Sequence, residues 1–426
     1  MNRFTTGWGA YDLTRFPEDP RDTLRAWDAA DEYLLRHLRD EGVRLDGPDD
    51  PGRPDGAVVA LGDRWGALVT ALAAARPVQI TDSYLTQCAT RANLRRAGVP
   101  DDAVTLRSTR DEPPARVGVL LVRVPKSLAL LEDQLTRLAP SVHEGTVIVG
   151  AGMVSEIHTS TLKLFDRVLG PTRTSLAVKK ARLIFCTPRP APEAAESAAG
   201  AVGPAPRAAE SASGAAGAAG PASGAAAPAG PWPRSYVLPS DAGAASGLTV
   251  VNHAGIFCAD RLDIGTRFFL NHLPERSGAD RIVDLGCGNG VVGTAAALAN
   301  PGATVTFTDE SYQAVASARA TFTANAGEEA AGERARFLVA DSLAGLEPDS
   351  VDLVLNNPPF HSHRATTDTT ARRMFADARR ALRPGGELWV VGNRHLGYHI
   401  RLRRLFGDCE LVVGDPKFVI LRAVKR

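Results

Sequence analysis

The sequence is poor in lysine and in long apolar runs. Only 6 of its 49 basic residues are lysine, and its formal net charge is +1. Overall charge therefore indicates neither a strongly acidic nor a strongly basic partner. No apolar run is long enough to cross a bilayer, and no apolar signal segment opens the chain. We accordingly expect a cytoplasmic protein without a membrane partner.

Cysteine is scarce too, with five residues in the whole chain. Their number is odd and their spacing contains no C-x-x-C pair, at positions 88, 186, 258, 287 and 409. Such a pattern argues against a disulfide framework and against a structural zinc site. We expect reduced thiols and no bound metal.

Length and composition predict two globular domains and a linker. The chain has 426 residues, of which 44% are apolar and 23% charged, and this is too long for one ordinary core. Residues 188–233 are mainly alanine, glycine, proline and serine, which bury too little surface to offset their ordering entropy. We therefore expect a domain over residues 1–187, a disordered Ala/Gly/Pro linker over residues 188–233 and a second domain over residues 234–426.

A glycine-rich turn in the second domain predicts a cofactor site. Residues 282–290 read IVDLGCGNG and precede a stretch of helical composition, which predicts a strand, a tight turn and a helix. Glycine takes positive φ at little cost and lets a ligand approach the backbone. Asp309 ends the next apolar run, where a carboxylate can accept hydrogen bonds from a ribose diol. The expected cofactor-binding residues of the turn itself are Asp284, Gly286, Cys287, Gly288 and Gly290.

Two kinds of cofactor fit this turn. Gly288, Gly290 and Gly293 satisfy G-x-G-x-x-G, which is weak evidence for a nicotinamide or flavin nucleotide. Asp284, however, stands two residues before the first glycine of a D-x-G-x-G-x-G pattern. A carboxylate there suits a cofactor with a free amino group. Dinucleotides lack that group and S-adenosylmethionine carries it, so the pattern favours S-adenosylmethionine.

A second motif, further along the chain, predicts a catalytic corner. Residues 351–355 have the composition of a buried strand, and Asn357-Pro358-Pro359-Phe360 ends it, because proline cannot donate to a sheet and restrains the residue before it. A bare Pro-Pro is usually an ordinary turn. After a glycine-rich turn, Asn-Pro-Pro-aromatic resembles the signature of amino-directed methyltransferases, which methylate an exocyclic base nitrogen or a glutamine amide.

The corner suits a poor nucleophile. The lone pair of an exocyclic amine is delocalised, so hydrogen-bond acceptors must draw the nitrogen toward tetrahedral geometry. The Asn357 side-chain oxygen and the Pro358 carbonyl are the expected acceptors, and Phe360 can stack on the ring and hold it in a near-attack pose. The expected catalytic residues are Asn357, Pro358, Pro359 and Phe360, of which Asn357 is also expected at the cofactor.

Two further segments predict cofactor contacts. Residues 337–342 have the pattern of another strand, with Asp341 placed to meet the adenine amine and Ser342 to offer its N–H to the ring. Residues 261–270 predict a helix that contains Gly265 and Thr266. Either this helix only packs and Thr266 caps it, or Gly265 and Thr266 contact the methionine end of the cofactor.

The first domain repeats the pattern of the second with altered site residues. The aligned pairs are Gly62 with Gly286, Gly66 with Gly290, Thr70 with Thr294, Asp82 with Asp309, and Val124 with Asn357. Ala60 replaces the acidic residue before the turn, and Arg64 occupies the middle glycine position. Internal duplication is the favoured interpretation, and chance similarity of two α/β units is the alternative. We expect the first domain to bind neither cofactor nor target amine.

From residue 255 onward, the sequence resembles the bacterial rRNA guanine-N2 methyltransferases, whose members carry two tandem methyltransferase-like domains. The matching residues are Phe257, Leu262-Asp263-x-Gly265, Asp284-x-Gly286-x-Gly288-x-Gly290, Asp309, Asp341, Asn357-Pro-Pro-Phe-His361, Pro384-Gly-Gly386, Asn393-Arg-His-Leu396, Tyr398 and Phe418-Val419. The resemblance implies an α/β protein of two Rossmann-like domains, the first one degenerate. It also implies that S-adenosylmethionine is the cofactor and that ribosomal RNA or a ribosomal subunit precursor is the partner. The protein itself is expected to be a monomer.

The leading hypothesis is therefore an S-adenosylmethionine-dependent rRNA (guanine-N2-)-methyltransferase. Ten arginines against three acidic residues between His361 and Phe406 suit the phosphates of RNA, although solvated helix faces would give the same count. One alternative is methylation of another amino group, in a protein glutamine or a DNA base. The other is a non-catalytic RNA-binding assembly factor, which the intact glycine turn disfavours.

Overall fold

Two seven-stranded sheets form the two halves of the molecule. The computed structural model describes residues 3–19, 22–45, 47, 52–189, 231–359 and 364–426, without the side chains of residues 364–368. Most of the predicted disordered linker, residues 188–233, lies outside the described residues, as do Phe360 and His361. Arg189 still bonds to the first half, since its amide donates to the Leu169 carbonyl at 2.8 Å.

The first half surrounds a mixed sheet with helices. Its strands are β1 (Arg3–Thr6), β2 (Gly9–Asp12), β3 (Ala57–Leu61), β4 (Val78–Thr81), β5 (Thr105–Ser108), β6 (Val117–Arg123), β7 (Val142–Met153), β8 (Thr172–Thr174) and β9 (Ala181–Cys186). Its α-helices are α1 (Ala29–Asp40), α2 (Ala67–Ala71), α3 (Tyr84–Arg96), α4 (Leu128–Leu138) and α5 (Thr159–Val168). The sheet order is β5-β4-β3-β6-β7-β9-β8, and β1 pairs with β2 separately.

The second half has the same arrangement. Its strands are β10 (Arg234–Val237), β11 (Thr249–Asn252), β12 (Arg281–Leu285), β13 (Thr304–Asp309), β14 (Ala335–Val339), β15 (Val351–Asn356), β16 (Leu382–Asn393), β17 (Glu410–Gly414) and β18 (Phe418–Val424). Its α-helices are α6 (Ile264–Leu270), α7 (Val291–Ala299), α8 (Tyr312–Ala326), α9 (Glu328–Glu333), α10 (Arg364–Ala381) and α11 (Tyr398–Phe406). The sheet order is β14-β13-β12-β15-β16-β18-β17, and β10 pairs with β11 separately.

The two sheets repeat one α/β unit strand by strand. In each, the first five strands run parallel and the last two pair antiparallel. The central strands β6 and β15 are buried over their whole length, as expected for parallel strands with helices on both faces. The predicted pair of tandem Rossmann-like units is confirmed.

The strand register corrects one aligned pair of the repeat. The matched contacts are Leu61 with Ile80 between β3 and β4, and Leu285 with Thr308 between β12 and β13. Thr81 therefore corresponds to Asp309, and the alignment of Asp82 with Asp309 was wrong by one residue. Short motifs cannot fix a register when the connections between strands differ in length, whereas backbone pairing does.

A second pair shifts in the same way. The matched contacts are Leu61 with Val122 between β3 and β6, and Leu285 with Asn356 between β12 and β15. Arg123, rather than Val124, therefore corresponds to Asn357. The β3–β6 ladder also contains an irregularity near its start, so a shared proline after the strand does not fix the register of this pair.

Arg123 fills its position with an ionic network. Its side chain is 2% exposed, donates to the Asp28 carboxylate at 2.7 Å, and brings Nε within 2.9 Å of Asp31. Arg64, which corresponds to Gly288, lies 2.6 Å from Glu156. The first half thus places its own charged side chains where the second half has a glycine and an asparagine.

Removal of Arg123 should destabilise the first half strongly. In Arg123→Ala, buried Asp31 loses its counter-charge and half-buried Asp28 keeps only Arg64 at 3.5 Å, and breaking a buried pair costs about 3–5 kcal/mol. Arg64→Ala is the matched control because that side chain is 42% exposed, so its loss should cost less than about 1 kcal/mol. Urea unfolding of both variants measures the difference. Equal stability losses would contradict a structural role for the buried network.

Candidate functional site

A cavity of about 530 Å³ lies at the carboxyl ends of the central strands of the second sheet. Ligands of open α/β sheets bind at this edge. The predicted site residues that line the cavity are Thr266, Asp284, Gly286, Cys287, Gly288, Asp309, Asp341, Ser342, Asn357, Pro358 and Pro359. Gly265 and Gly290 are not on its wall, and Phe360 lies outside the described residues.

The glycine turn between β12 and α7 presents its backbone to the cavity. The Gly286 amide donates to the Thr308 carbonyl at 2.8 Å, and the Gly288 amide donates to the Asp309 carboxylate at 3.1 Å. Gly288 has a φ of +54°, and no atom lies within 4 Å of the place where its Cβ would stand. The open space beside Gly288 therefore belongs to the cavity.

Gly290 serves packing instead. It begins α7 with a φ of +74°, and a Cβ there would lie 2.6 Å from the Cβ of Ala318 in α8. Glycine lets α7 and α8 approach each other at this point. Glycine at position 290 therefore serves the packing of α7 on α8, and its part in cofactor binding stays a prediction.

Two carboxylates, one buried and one half-buried, support the turn. Asp284 is 3% exposed and accepts a hydrogen bond from the Gly293 amide of α7 at 2.8 Å, and burial raises its pKa to about 7. Asp309 accepts from the amides of Gly288 and Ser311, and burial likewise raises its pKa. Both groups thus use backbone N–H donors to offset part of the cost of desolvation.

The opposite wall of the cavity carries an ion pair that the sequence analysis missed. Arg373 of α10 binds the Asp341 carboxylate, and both side chains line the cavity. Burial raises the pKa of Asp341, although the charge of Arg373 opposes that shift. The adjacent Ser342 holds a φ of +54°, and its buried hydroxyl has no partner among the described residues.

Asn357 is held with its oxygen free. Its Nδ2 donates to the Thr266 hydroxyl at 2.9 Å, and that hydroxyl lies 3.5 Å from the Asp263 carboxylate that caps α6. The Asn357 Oδ1 is buried and accepts no hydrogen bond from any described residue. A buried acceptor without a donor is costly, so this atom is suited to receive one from a ligand. Thr266 meets the cavity through this bond, whereas Gly265 is buried inside α6.

The cavity also has walls that no motif predicted. Leu85 of the first half lines it together with Glu310, Tyr236 and Met374 of the second. Leu85 had no signal in the sequence because its neighbours in the cavity are remote along the chain. Among the described residues, no cluster of three or more His, Cys, Asp or Glu side chains could hold a metal ion, and no helix could span a membrane.

Comparison with known proteins identifies relatives of the whole chain. Residues 1–190 match the RLMG N-terminal domain model, and residues 247–422 match the methyltransferase small domain model. Proteins named ribosomal RNA large subunit methyltransferase G are 64% identical in Streptomyces griseus and 43% identical in Ectopseudomonas mendocina, each over 100% of both chains.

A solved structure shares the fold. It is a 16S rRNA N2 guanine methyltransferase of T. thermophilus in complex with AdoMet and guanosine, with a TM-score of 0.67 and 18% sequence identity. The match covers 100% of this chain and 97% of that chain. The shared fold therefore extends over both halves.

Substitutions at Gly288 and Gly290 should separate the free-energy cost of backbone strain from that of overpacking. Gly288→Ala places a Cβ in open space at positive φ, which costs about 1–2 kcal/mol. Gly290→Ala adds the clash with Ala318, and overpacking costs roughly 1–3 kcal/mol more. Denaturant unfolding of the two variants measures the free energies. If Gly290→Ala were no less stable than Gly288→Ala, α7 and α8 would not depend on this close approach.

Proposed function

Because the chain belongs to the ribosomal RNA large subunit methyltransferase G family, we propose that it transfers a methyl group from S-adenosylmethionine to the exocyclic N2 of a guanine in large-subunit ribosomal RNA. The observation that carries the proposal is the buried, unpartnered Oδ1 of Asn357 at the wall of the cavity. The target amine is the donor that this atom lacks.

The residues around the cavity fit S-adenosylmethionine. A volume of about 530 Å³ lies within the range of small-molecule sites, about 300–1,000 Å³. Asp309 would hold the ribose hydroxyls, Asp341 and Ser342 the adenine, and Asp284 with the turn from Gly286 to Gly288 the methionine end. Bound there, the cofactor supplies an electrophilic methyl group on its sulfonium.

Asn357 would organise the attacking nitrogen. With Nδ2 engaged by Thr266 at 2.9 Å, the amide can turn only its oxygen toward an incoming amine. Acceptance of one N–H by Oδ1 and of the other by the Pro358 carbonyl would draw the N2 lone pair out of conjugation with the ring. Such acceptors act most strongly where water is excluded, as around the buried Oδ1 of Asn357.

Charge on the two helices after the catalytic corner supports an RNA substrate. A groove of about 570 Å³ between α10 and α11 is lined by Arg372, Arg401 and Arg404, together with apolar side chains. Arg373, one residue along α10, faces the cavity instead. The groove and the cavity thus lie on the two sides of one helix, and RNA phosphates in the groove would bring a flipped base near the corner.

Methylation assays with the full chain test this function. Large-subunit rRNA transcribed without modifications is incubated with protein and labelled S-adenosylmethionine, and the RNA is then digested to nucleosides. The expected product is N2-methylguanosine. Small-subunit rRNA serves as the control substrate and should stay unlabelled. A label on another base, or on the small-subunit RNA alone, would refute the proposal.

Asn357→Ala should keep cofactor binding and lose turnover. Loss of one organising acceptor costs about 10²-fold or more in kcat, whereas the remaining walls of the cavity are unchanged. Calorimetry measures cofactor affinity and the nucleoside assay measures turnover. A variant with near-normal kcat would exclude Asn357 from the catalytic machinery.

Thr266→Val should lower kcat through Asn357. Valine has the shape of threonine but offers no acceptor to Nδ2, so the amide loses its fixed orientation at a cost of about 1–3 kcal/mol, or roughly 10- to 100-fold in rate. Thr266→Ser keeps the hydroxyl and should retain most activity. A KM change with unaltered kcat in Thr266→Val would show that Thr266 binds substrate and does not position Asn357.

A further inference from the structure

The two halves meet through the N-terminal turns of α3 and α8. Ser83 and Ser311, which begin these helices, form an antiparallel bridge. The Tyr84 amide donates to the Glu310 carbonyl at 2.9 Å, and the Tyr312 amide donates to the Asp82 carbonyl at 3.0 Å. The strand register makes Thr81 and Asp309 equivalent positions of the two halves. Each of these contacts is therefore matched by an equivalent one, and the interface is locally two-fold.

Each half also gives a carboxylate to the helix of the other. Asp82 accepts from the Ser311 hydroxyl at 2.6 Å and from the Gln313 amide at 2.8 Å, at the start of α8. Glu310 accepts from the Ser83 hydroxyl and from the Leu85 amide, at the start of α3. The amides of a first helical turn have no partners within the helix, so the exchanged carboxylates satisfy them.

Desolvation at this interface is sufficient to change ionisation, although Glu310 is still exposed to solvent over part of its surface. Desolvation raises the pKa of Asp82 to about 6 and that of Glu310 to about 7, although hydrogen bonds to both groups oppose the shift. Carboxylates are placed in such surroundings only where several donors meet them. The two halves are therefore joined by specific hydrogen bonds to these carboxylates.

The first-turn bonds of this interface are symmetric, but other bonds across it, such as that from the Tyr312 hydroxyl to the Gln87 side chain at 2.8 Å, are not, and the two sides also differ in what they border. Glu310 and Leu85 line the cavity that also holds Asp309 and Asp341. Asp82 belongs to the first half, where Arg64 and Arg123 occupy the positions of a glycine and an asparagine. The edge at Glu310 thus lines a cavity, and Leu85 of the first half contributes to its wall.

We infer that the first half forms part of the cofactor site, with Leu85 of α3 as an apolar wall against the purine end of S-adenosylmethionine. The inference rests on the proposed function. Leu85 is partly buried on the cavity wall, and a branched aliphatic side chain suits the face of a purine. Glu310 accepts hydrogen bonds from the first turn of α3 and so holds that turn at the edge of the cavity. Ser83 and Glu310 are therefore positioning residues for Leu85.

Calorimetry on the full chain tests the contact. S-adenosylmethionine and S-adenosylhomocysteine are titrated into wild type and Leu85→Ala, and Kd should rise about tenfold for both ligands, as expected when roughly half of a leucine's apolar contact is lost. Leu85→Met keeps an apolar side chain of similar volume and should bind almost as wild type. Leu176→Ala is the matched control, because Leu176 is also in the first half but is 87% exposed, and its Kd should not change.

Hydrogen exchange of the wild-type protein gives a second readout that needs no variant. Addition of S-adenosylhomocysteine should slow exchange at the first turn of α3, in the first half, as well as at the glycine turn of the second half. Slowed exchange at the glycine turn alone, or an unchanged Kd in Leu85→Ala, would overturn the inference while leaving the proposed function intact. Failure of wild type to bind either ligand would instead remove the proposed function.

Discussion

The first-turn amides of helices hold the important parts of this molecule in place. Asp284 accepts from the first turn of α7, Asp263 from α6, Asp82 from α8 and Glu310 from α3. In each case a carboxylate meets N–H groups that the helix itself cannot satisfy. The same device thus shapes the glycine turn, orients Asn357 through Thr266, and joins the halves. Among the residues that line the cavity, Asn357 Oδ1 and the hydroxyls of Ser342 and Tyr236 are buried without a partner among the described residues, so these are the atoms open to a ligand.

The two copies of the fold show how one site was retained and the other filled. In the first half Ala60 stands in place of the supporting carboxylate, yet the matching helix amide, that of Val69, donates to the Asp63 carboxylate at 3.0 Å. A carboxylate therefore supports the helix in both halves, but in the first half it stands three positions further along the turn. Arg64 and Arg123 meanwhile use space that a ligand would need. The first half thus has charged side chains at these positions and still keeps the strand order of the second half.

Much of this arrangement could be predicted from the sequence, because it depends on local patterns. The glycine turn, the Asn-Pro-Pro corner and the alternation of strands and helices predict the tandem fold and the family, which the strand order and the relatives confirm. The individual roles assigned to Asn357, Asp341 and the other site residues stay predictions. Phe360 was placed by its motif alone.

The remainder could not be predicted, because it depends on register and on distant contacts. A one-residue shift in the β3–β6 pairing decides whether Arg123 or Val124 takes the place of Asn357, and hydrogen bonds fix it rather than composition. Arg373 reaches Asp341 only because α10 crosses the cavity. Leu85 and Glu310 come together from opposite halves, and no spacing in the chain encodes that contact.

The exchanged contact between Ser83 and Ser311 also bears on how the chain could have arisen. Equivalent surfaces that meet about a two-fold axis form the isologous interface of a homodimer. The two halves are therefore arranged like the subunits of a homodimer, as expected if the internal duplication predicted from the sequence joined two copies of one gene, and Leu85 of the first half lies on the wall of the cavity in the second. In such an arrangement the partners recognise each other through the interface, and the connecting peptide only raises their effective concentration. Its length and composition can then drift widely among descendants, since each doubling of a connecting loop costs only about 0.6 kcal/mol in closure entropy.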